Sequence, residues 1–312
     1  MQETIDISAY DPVEFLGVNN QNLNFIQTCF PKLRIVARGT KIIALGDEES
    51  LGKFRKLMLA VKTHYEDYNF IDFDSIEEIV KGESVQRYQR GNSDFIIFGN
   101  KGKAIEARTQ NQKNLVESVE KHDLVFAVGP AGTGKTYTAI ALASRALKNK
   151  EVKRIILTRP AVEAGEQLGF LPGDMKDKLD PYLQPLYDAL ADIFPKKKLQ
   201  EMLDERIVEV APLAYMRGRT LEHAFVILDE AQNTSDRQLK MFLTRMGEHS
   251  KFIVTGDVSQ VDLPRNTHSG LLRAIELFEN TNGIQFVFFD KNDVMRHPIV
   301  RKIIEVYEQK DT

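Results

Sequence analysis

"LVFAVGPAGTGKTYTAIALASRAL" (124–147) is the stretch that decides how this chain folds. Its first five residues form an unbroken apolar run, as in a strand covered on both faces of a parallel sheet. The next eight, "GPAGTGKT" (129–136), fit G-x-x-x-x-G-K-[ST] without a mismatch, and a helical run follows at once. Strand, glycine-rich loop and helix in that order are the context this motif needs. Gly129, Gly132 and Gly134 allow the tight turn, with Pro130, Ala131 and Thr133 between them and Tyr137 just beyond. The loop amides and the helix N-terminus make an anion hole for α- and β-phosphates. Lys135 is placed to reach the β/γ oxygens, and the Thr136 hydroxyl to ligate Mg²⁺.

The same strand character recurs outward from this loop. "RIILT" (154–158), "IVEVA" (207–211), "FVILD" (225–229), "KFIVTG" (251–256) and "QFVFF" (285–289) are mostly continuous apolar runs. Helical segments between several of them predict right-handed βαβ crossovers and an α/β domain over 109–312. Residues 1–72 read as a small α/β domain. Within it, 22–30 and 48–65 show helical spacing, and two β-rich runs lie in 32–47. Residues 73–108 read as a linker with a short helix, capped by Asp74 or Ser75, and a hairpin turning at Asn100-Lys101-Gly102.

Composition narrows the class. The 312 residues are 42% hydrophobic and 28% charged, those of a globular chain with a sizeable core. The net charge of −3 means that nucleic-acid binding must rest on a local patch. Cys29 is the single cysteine, so no intramolecular disulfide forms and a thiolate zinc site is implausible. The acidic start is no signal peptide, and no apolar run reaches membrane-spanning length, so a cytoplasmic location is expected.

Asp229-Glu230 supply the acidic partner of the loop. Four apolar residues lead into this pair at the C-terminal sheet edge, where ligands of open α/β sheets sit. Asp229 is placed to hold Mg²⁺ through a water, and Glu230 to orient and deprotonate the attacking water. A glutamate directly after the aspartate favours hydrolysis over kinase or G-protein chemistry. "VTGDVSQVDLP" (254–264) ends another buried strand, putting Asp257 and Gln260 at the same edge, where Gln260 would sense a γ-phosphate. The alternative is an ordinary polar strand end. In "TQNQ" (109–112), Gln112 carries an amide able to read an adenine edge.

Taken together, "TQNQ", "GPAGTGKT", "ILTRPAVEAGEQLGFLPGD", "PLAYMRGRTL", "VILDEAQNT", "TRMGEHSKFIVTGDVSQVDLP" and "VMRHPIVRKII" resemble the PhoH family, P-loop ATPases related to superfamily 1 helicases. The resemblance covers about residues 95–310. It implies a RecA-like P-loop NTPase core with a parallel sheet flanked by helices, ATP and Mg²⁺ as cofactors, and a role in RNA metabolism. Arg159, at a strand end where such helicases touch the single strand, is a candidate RNA contact, against an ion pair with Glu163 or Glu166. Residues 1–72 resemble a KH-like unit, whose G-x-x-G loop clamps a nucleic-acid backbone. "LGVNNQNL" (16–23) keeps Gly17 but has Asn20 at the second glycine, so a docking domain is an equal reading.

Superfamily 1 helicases complete their ATP site with arginines from a second motor domain. After Glu230 the chain holds two more strands of the same sheet, which predicts that a neighbouring subunit donates the arginine. A head-to-tail contact of that kind closes into a ring, a hexamer being one size. Arg217, Arg219, Arg245 and Arg296 are the candidates, with Arg296 and Arg245 preferred. Two roles compete: an oligomeric ATPase that remodels single-stranded RNA, with weak helicase action, and an ATP-dependent scaffold that docks an RNA-processing nuclease. A small-molecule kinase is disfavoured by Glu230.

Overall fold

The computed structural model describes residues 1–82, 94–160, 175–264, 266–295 and 299, with backbone alone for 175–180. The chain divides into two compact units, Met1–Ile105 with Leu190–Glu205, and Glu106–Ala189 with Arg206–Thr312.

The first unit opens with β1 (Gln2–Asp6), α1 (Pro12–Leu16), α2 (Gln21–Cys29), β2 (Arg34–Arg38), β3 (Lys41–Leu45), α3 (Glu48–Tyr68) and α4 (Phe73–Lys81). β1, β3 and β2 form an antiparallel sheet in that order. The polar start of the chain hid β1, an edge strand with no fully buried residue. α3 starts at Asp47, whose side chain accepts from the Ser50 N–H. It buries Leu51, Phe54, Met58, Val61 and Tyr65, a stripe at helical spacing. That stripe packs with Ile7, Ile35, Ile42 and Ala44 into one core. Asp72 caps α4 through the Ser75 N–H, two residues before Asp74 and three before Ser75. The loop between α1 and α2 has Asn19 and Asn20 both left-handed, at φ 55 and 58. Asn is one of the few non-glycine residues that adopt this conformation readily, by bonding locally. β4 (Phe95–Phe98) and β5 (Ala104–Glu106) pair around the turn at 100–102.

In the second unit follow α5 (Gln110–Lys121), β6 (Leu124–Val128), α6 (Lys135–Lys148), β7 (Arg154–Arg159) and α7 (Met175–Ile193). α7 leads into α8 (Lys196–Asp204), and residues 190–205 belong to the first unit. That excursion left no mark on the helical pattern. The chain then forms β8 (Val208–Pro212), β9 (Ala224–Leu228), α9 (Asp236–Leu243), β10 (Lys251–Gly256), α10 (Gly270–Phe278) and β11 (Ile284–Phe288). The six strands make a parallel sheet ordered β11-β6-β10-β9-β7-β8. α9 and α10 close one core with Phe126, Val226, Phe252 and Val254, and α6 lies against β7, β9 and β10. Phe126 stacks on Phe286 at 4.5 Å and is fully buried; burial of a side chain this size contributes about 1.5–3 kcal/mol.

One consequence of the strand order governs the site. β10 lies between β6, which feeds the glycine-rich loop, and β9, which feeds the acidic pair. Their registers align Gly256 with Val128, and Leu228 with Val254, so the three C-terminal ends open at one edge.

Candidate functional site: a phosphate loop and its carboxylates

The loop after β6 is tied down on both sides. The Gly129 N–H donates to the Gly256 carbonyl at 3.0 Å, and the Ala131 N–H to Asp257 Oδ2 at 2.9 Å. Two glycines are required by contact. A Cβ on Gly129 would collide with the Phe289 backbone, and one on Gly134, at φ 79, would fall 2.7 Å from Gln112 Nε2. The first-turn N–H groups of α6 lack intrahelical partners and add to the helix dipole, so this end of the helix attracts anions.

Lys135 begins α6 and is 7% exposed. Its Nζ donates to the carbonyls of Gly129 and Pro130 at 2.6 and 2.7 Å. Burial lowers its pKa below the ordinary lysine range, opposed by the nearby carboxylates of Asp257, Glu230 and Asp229. The sign follows directly: a depressed lysine loses its proton, and its attraction for phosphate, at lower pH than a free one. Nucleotide affinity is therefore expected to weaken on the alkaline side earlier than an ordinary lysine would dictate. Binding there should also take up a proton, because a bound phosphate favours the charged amine. Titrating a fluorescent nucleotide across pH checks this; Lys135→Arg should flatten the alkaline limb.

Asp229 is 5% exposed. Its Oδ1 accepts from Thr136 Oγ1 at 2.6 Å and from Thr255 Oγ1 at 2.7 Å. The loop threonine and the strand-end aspartate thus meet across β10. A hydroxyl and a carboxylate in direct contact are the hard oxygen donors that suit Mg²⁺. Asp257 is also below its ordinary range: burial pushes its carboxyl up, but hydrogen bonds from Ser259, Gln260 and the Ala131 N–H outweigh that.

Glu230 is held differently. Its backbone is left-handed, φ 53 and ψ 42, a conformation that costs a non-glycine residue of order 1–3 kcal/mol and clusters at functional sites. One carboxylate oxygen accepts from Arg159 Nη2 at 2.7 Å, the other from Gln232 Nε2 at 2.5 Å. Gln232 is 1% exposed, and its Oε1 accepts the Asp257 N–H at 3.0 Å. A continuous set of bonds therefore runs from Glu230 through Gln232 and Asp257 to the loop at Ala131.

Several residues singled out from sequence occupy other environments. Arg159 pairs with Glu230, lies 3.6 Å from Asp229 Oδ2, and donates to the Tyr182 carbonyl at 2.9 Å; Glu163 and Glu166 lie outside the described residues. Gln260 is exposed and bonds Asp257 Oδ2 at 2.6 Å. Gln112, read as an adenine contact, is 2% exposed with both ends of its amide engaged. Its Oε1 accepts the Arg108 N–H, and its Nε2 donates to the Thr133 carbonyl. The helix start that places it, capped by Thr109, turns it under the loop. Tyr137 is half-buried in the first turn of α6.

Among the arginines, Arg245 bonds the Met241 and Arg219 carbonyls, and Arg219 is paired with Glu209 through two bonds. Arg217 is exposed, with no side-chain partner among the described residues. Arg296 lies outside the described residues. The reading of sequence missed Thr255 and the Asp257 link to Ala131. The signal available was "VTGD" itself, since every second residue at a strand end faces the same way.

This geometry defines a P-loop nucleoside-triphosphate-binding α/β protein, with its acidic pair one strand removed from the loop strand. A family model described as "PhoH-like protein" matches residues 104–308. A PhoH-like protein of Bacillus subtilis (strain 168) is 48% identical over 95% of this chain and 92% of its own length. One of Synechocystis is 42% identical over 97% and 93%. Protein PhoH of Escherichia coli (strain K12) is 47% identical over 65% of this chain and 58% of its own. The chain belongs to the PhoH family. Among solved structures, the UvsW helicase from bacteriophage T4 is similar at 13% identity and a TM-score of 0.38, covering 79% of this chain and 82% of that one. No helix among the described residues is long and apolar enough to cross a membrane.

Proposed function

We propose that this chain binds and hydrolyses Mg-ATP as an oligomer acting in RNA metabolism in the cytoplasm, with weak helicase action. The observation that carries the nucleotide chemistry is the Thr136–Asp229 contact across the loop, with Glu230 beside it. Lys135 exchanges the Gly129 and Pro130 carbonyls for phosphate oxygens, releasing the loop to close on the nucleotide. Thr136 and Asp229 hold the magnesium, which when bound neutralises charge developing on the phosphates. Glu230 accepts the proton of the attacking water, and Gln232 sets the carboxylate's direction. Gln260, exposed beside Asp257, senses the γ-phosphate, while Gln112 supports the loop from beneath through the Thr133 carbonyl.

A second reading is an ATP-dependent scaffold that docks an RNA-processing nuclease. The engagement of both Glu230 oxygens favours it, because an engaged base means slow turnover. ATPase rate against protein concentration, with and without single-stranded RNA, separates the two. A specific rate that rises with concentration and with RNA supports the remodelling ATPase. Slow turnover indifferent to both overturns it in favour of the scaffold.

A further inference from the structure

Arg159 contacts more of the site than its place at a strand end suggested. Its three guanidinium nitrogens face three different acceptors: Nε faces Asp229 Oδ2 at 3.6 Å, Nη1 the Tyr182 carbonyl at 2.9 Å, and Nη2 Glu230 Oε1 at 2.7 Å. The side chain is only 20% exposed. With Gln232 on the other oxygen, each oxygen of Glu230 already accepts a hydrogen bond. Each oxygen keeps a free lone pair, but the two donors fix the direction of the carboxylate, so it cannot turn toward a water while both hold it.

We propose that Arg159 is a latch on Glu230: it holds the general base off the attacking water until a phosphate of a single-stranded nucleic acid draws the guanidinium away. This rests on the ATPase reading above and assigns the regulation of that site. The geometry favours a latch over a fixed structural pair on three counts. The Glu230 side chain is 34% exposed, so it is accessible enough to turn once released. Its backbone is left-handed, which stores strain at the residue that must move. The Nη1 bond ties the same guanidinium to α7, so displacement of either end loosens both. A planar guanidinium also binds phosphate oxygens at two points, so a phosphodiester competes directly with the carboxylate for it. Release costs the nucleotide-holding set only the 3.6 Å approach to Asp229, which keeps its bonds from Thr136 and Thr255, and Lys135 and Thr136 make no contact with Arg159 among the described residues.

The test is steady-state turnover of the full chain and of Arg159→Ala, Arg159→Gln and Arg159→Lys, with and without poly(U). Nucleotide affinity is measured alongside as a check on folding. The latch predicts that Arg159→Ala and Arg159→Gln raise kcat without RNA by roughly two- to fivefold, the factor expected for releasing one partly exposed ion pair. KM should be unchanged and poly(U) stimulation lost, with Arg159→Lys between them and the unsubstituted protein. A merely structural arginine would lower kcat or weaken binding when removed. If the unsubstituted protein hydrolyses ATP and Arg159→Ala is equal or slower while still binding nucleotide, the latch is wrong and the ATPase reading stands. If no variant hydrolyses ATP although all bind it, the ATPase reading fails. If Arg159→Ala is faster yet still stimulated by poly(U), the nucleic-acid phosphate is not what opens the latch, and that part is overturned.

Discussion

Glu230→Gln is expected to lower kcat by about 10²–10⁴-fold, the usual share of a positioned general base, while Mg-ATP stays bound. The substitution keeps shape and removes the proton acceptor. Gln232 Oε1 is fixed by the Asp257 N–H, so its Nε2 must keep pointing at position 230. Arg159 also presents only donors. A glutamine there offers one acceptor to two donors, so one of these bonds is lost and the side chain loosens. Thr136 and Asp229 are untouched by this change, since their contact lies on the other carboxylate. Nucleotide affinity should therefore change little against the loss of turnover. Parallel measurement of turnover and of fluorescent-nucleotide binding checks it. A variant that keeps turnover within tenfold of the unsubstituted protein would exclude Glu230 as the base.

The second large effect concerns arginine donation between subunits. Removing such an arginine costs about 10³-fold or more in related phosphoryl-transfer systems. Its donors must be uncommitted until the neighbour's phosphate arrives. Arg219 fails that condition, since its two bonds to Glu209 also hold that carboxyl below its ordinary range. Arg245 fails it too, bound to carbonyls of its own chain. Arg217 meets it, in the turn after β8 and exposed; Arg296 is to be tested beside it. Arg217→Ala or Arg296→Ala alone should be nearly inactive, as Glu230→Gln is. Mixing the arginine variant with Glu230→Gln should restore roughly a quarter of the rate, because random pairing in a head-to-tail ring rebuilds that share of complete sites. Mixtures that stay as inactive as their parents would refute donation in trans.

How far the site was legible depended on whether a residue's role is local. Gly129 to Thr136 could be read because a phosphate loop is one continuous stretch whose conformation is set by its own glycines and the strand and helix around it. Asp229 was legible because a run of apolar residues ends at it. Gln112 was misjudged for the opposite reason. Its amide looked free in "TQNQ", and only the packing of α5 under the loop shows both ends engaged. The glutamate that pairs with Arg159 is Glu230, just after β9, and not one adjacent in sequence, and the arginine's other bond is to a carbonyl of α7. Asp72 outcompeted Asp74 and Ser75 as a cap, because the cap is decided by which residue is extended when the helix starts.

By itself, the sequence determined the parallel α/β class, the nucleotide loop, the acidic pair and the family. Each of these is written in contiguous patterns: apolar runs, glycine spacing and motif order. The tertiary structure decided the strand order that puts β10 between β6 and β9, and with it the meeting of Thr136, Asp229 and Thr255. It also decided that Arg159 and Gln232 occupy the oxygens of Glu230. Those contacts join residues far apart in the chain, and no local pattern encodes them, because they depend on which strand ends the sheet brings side by side.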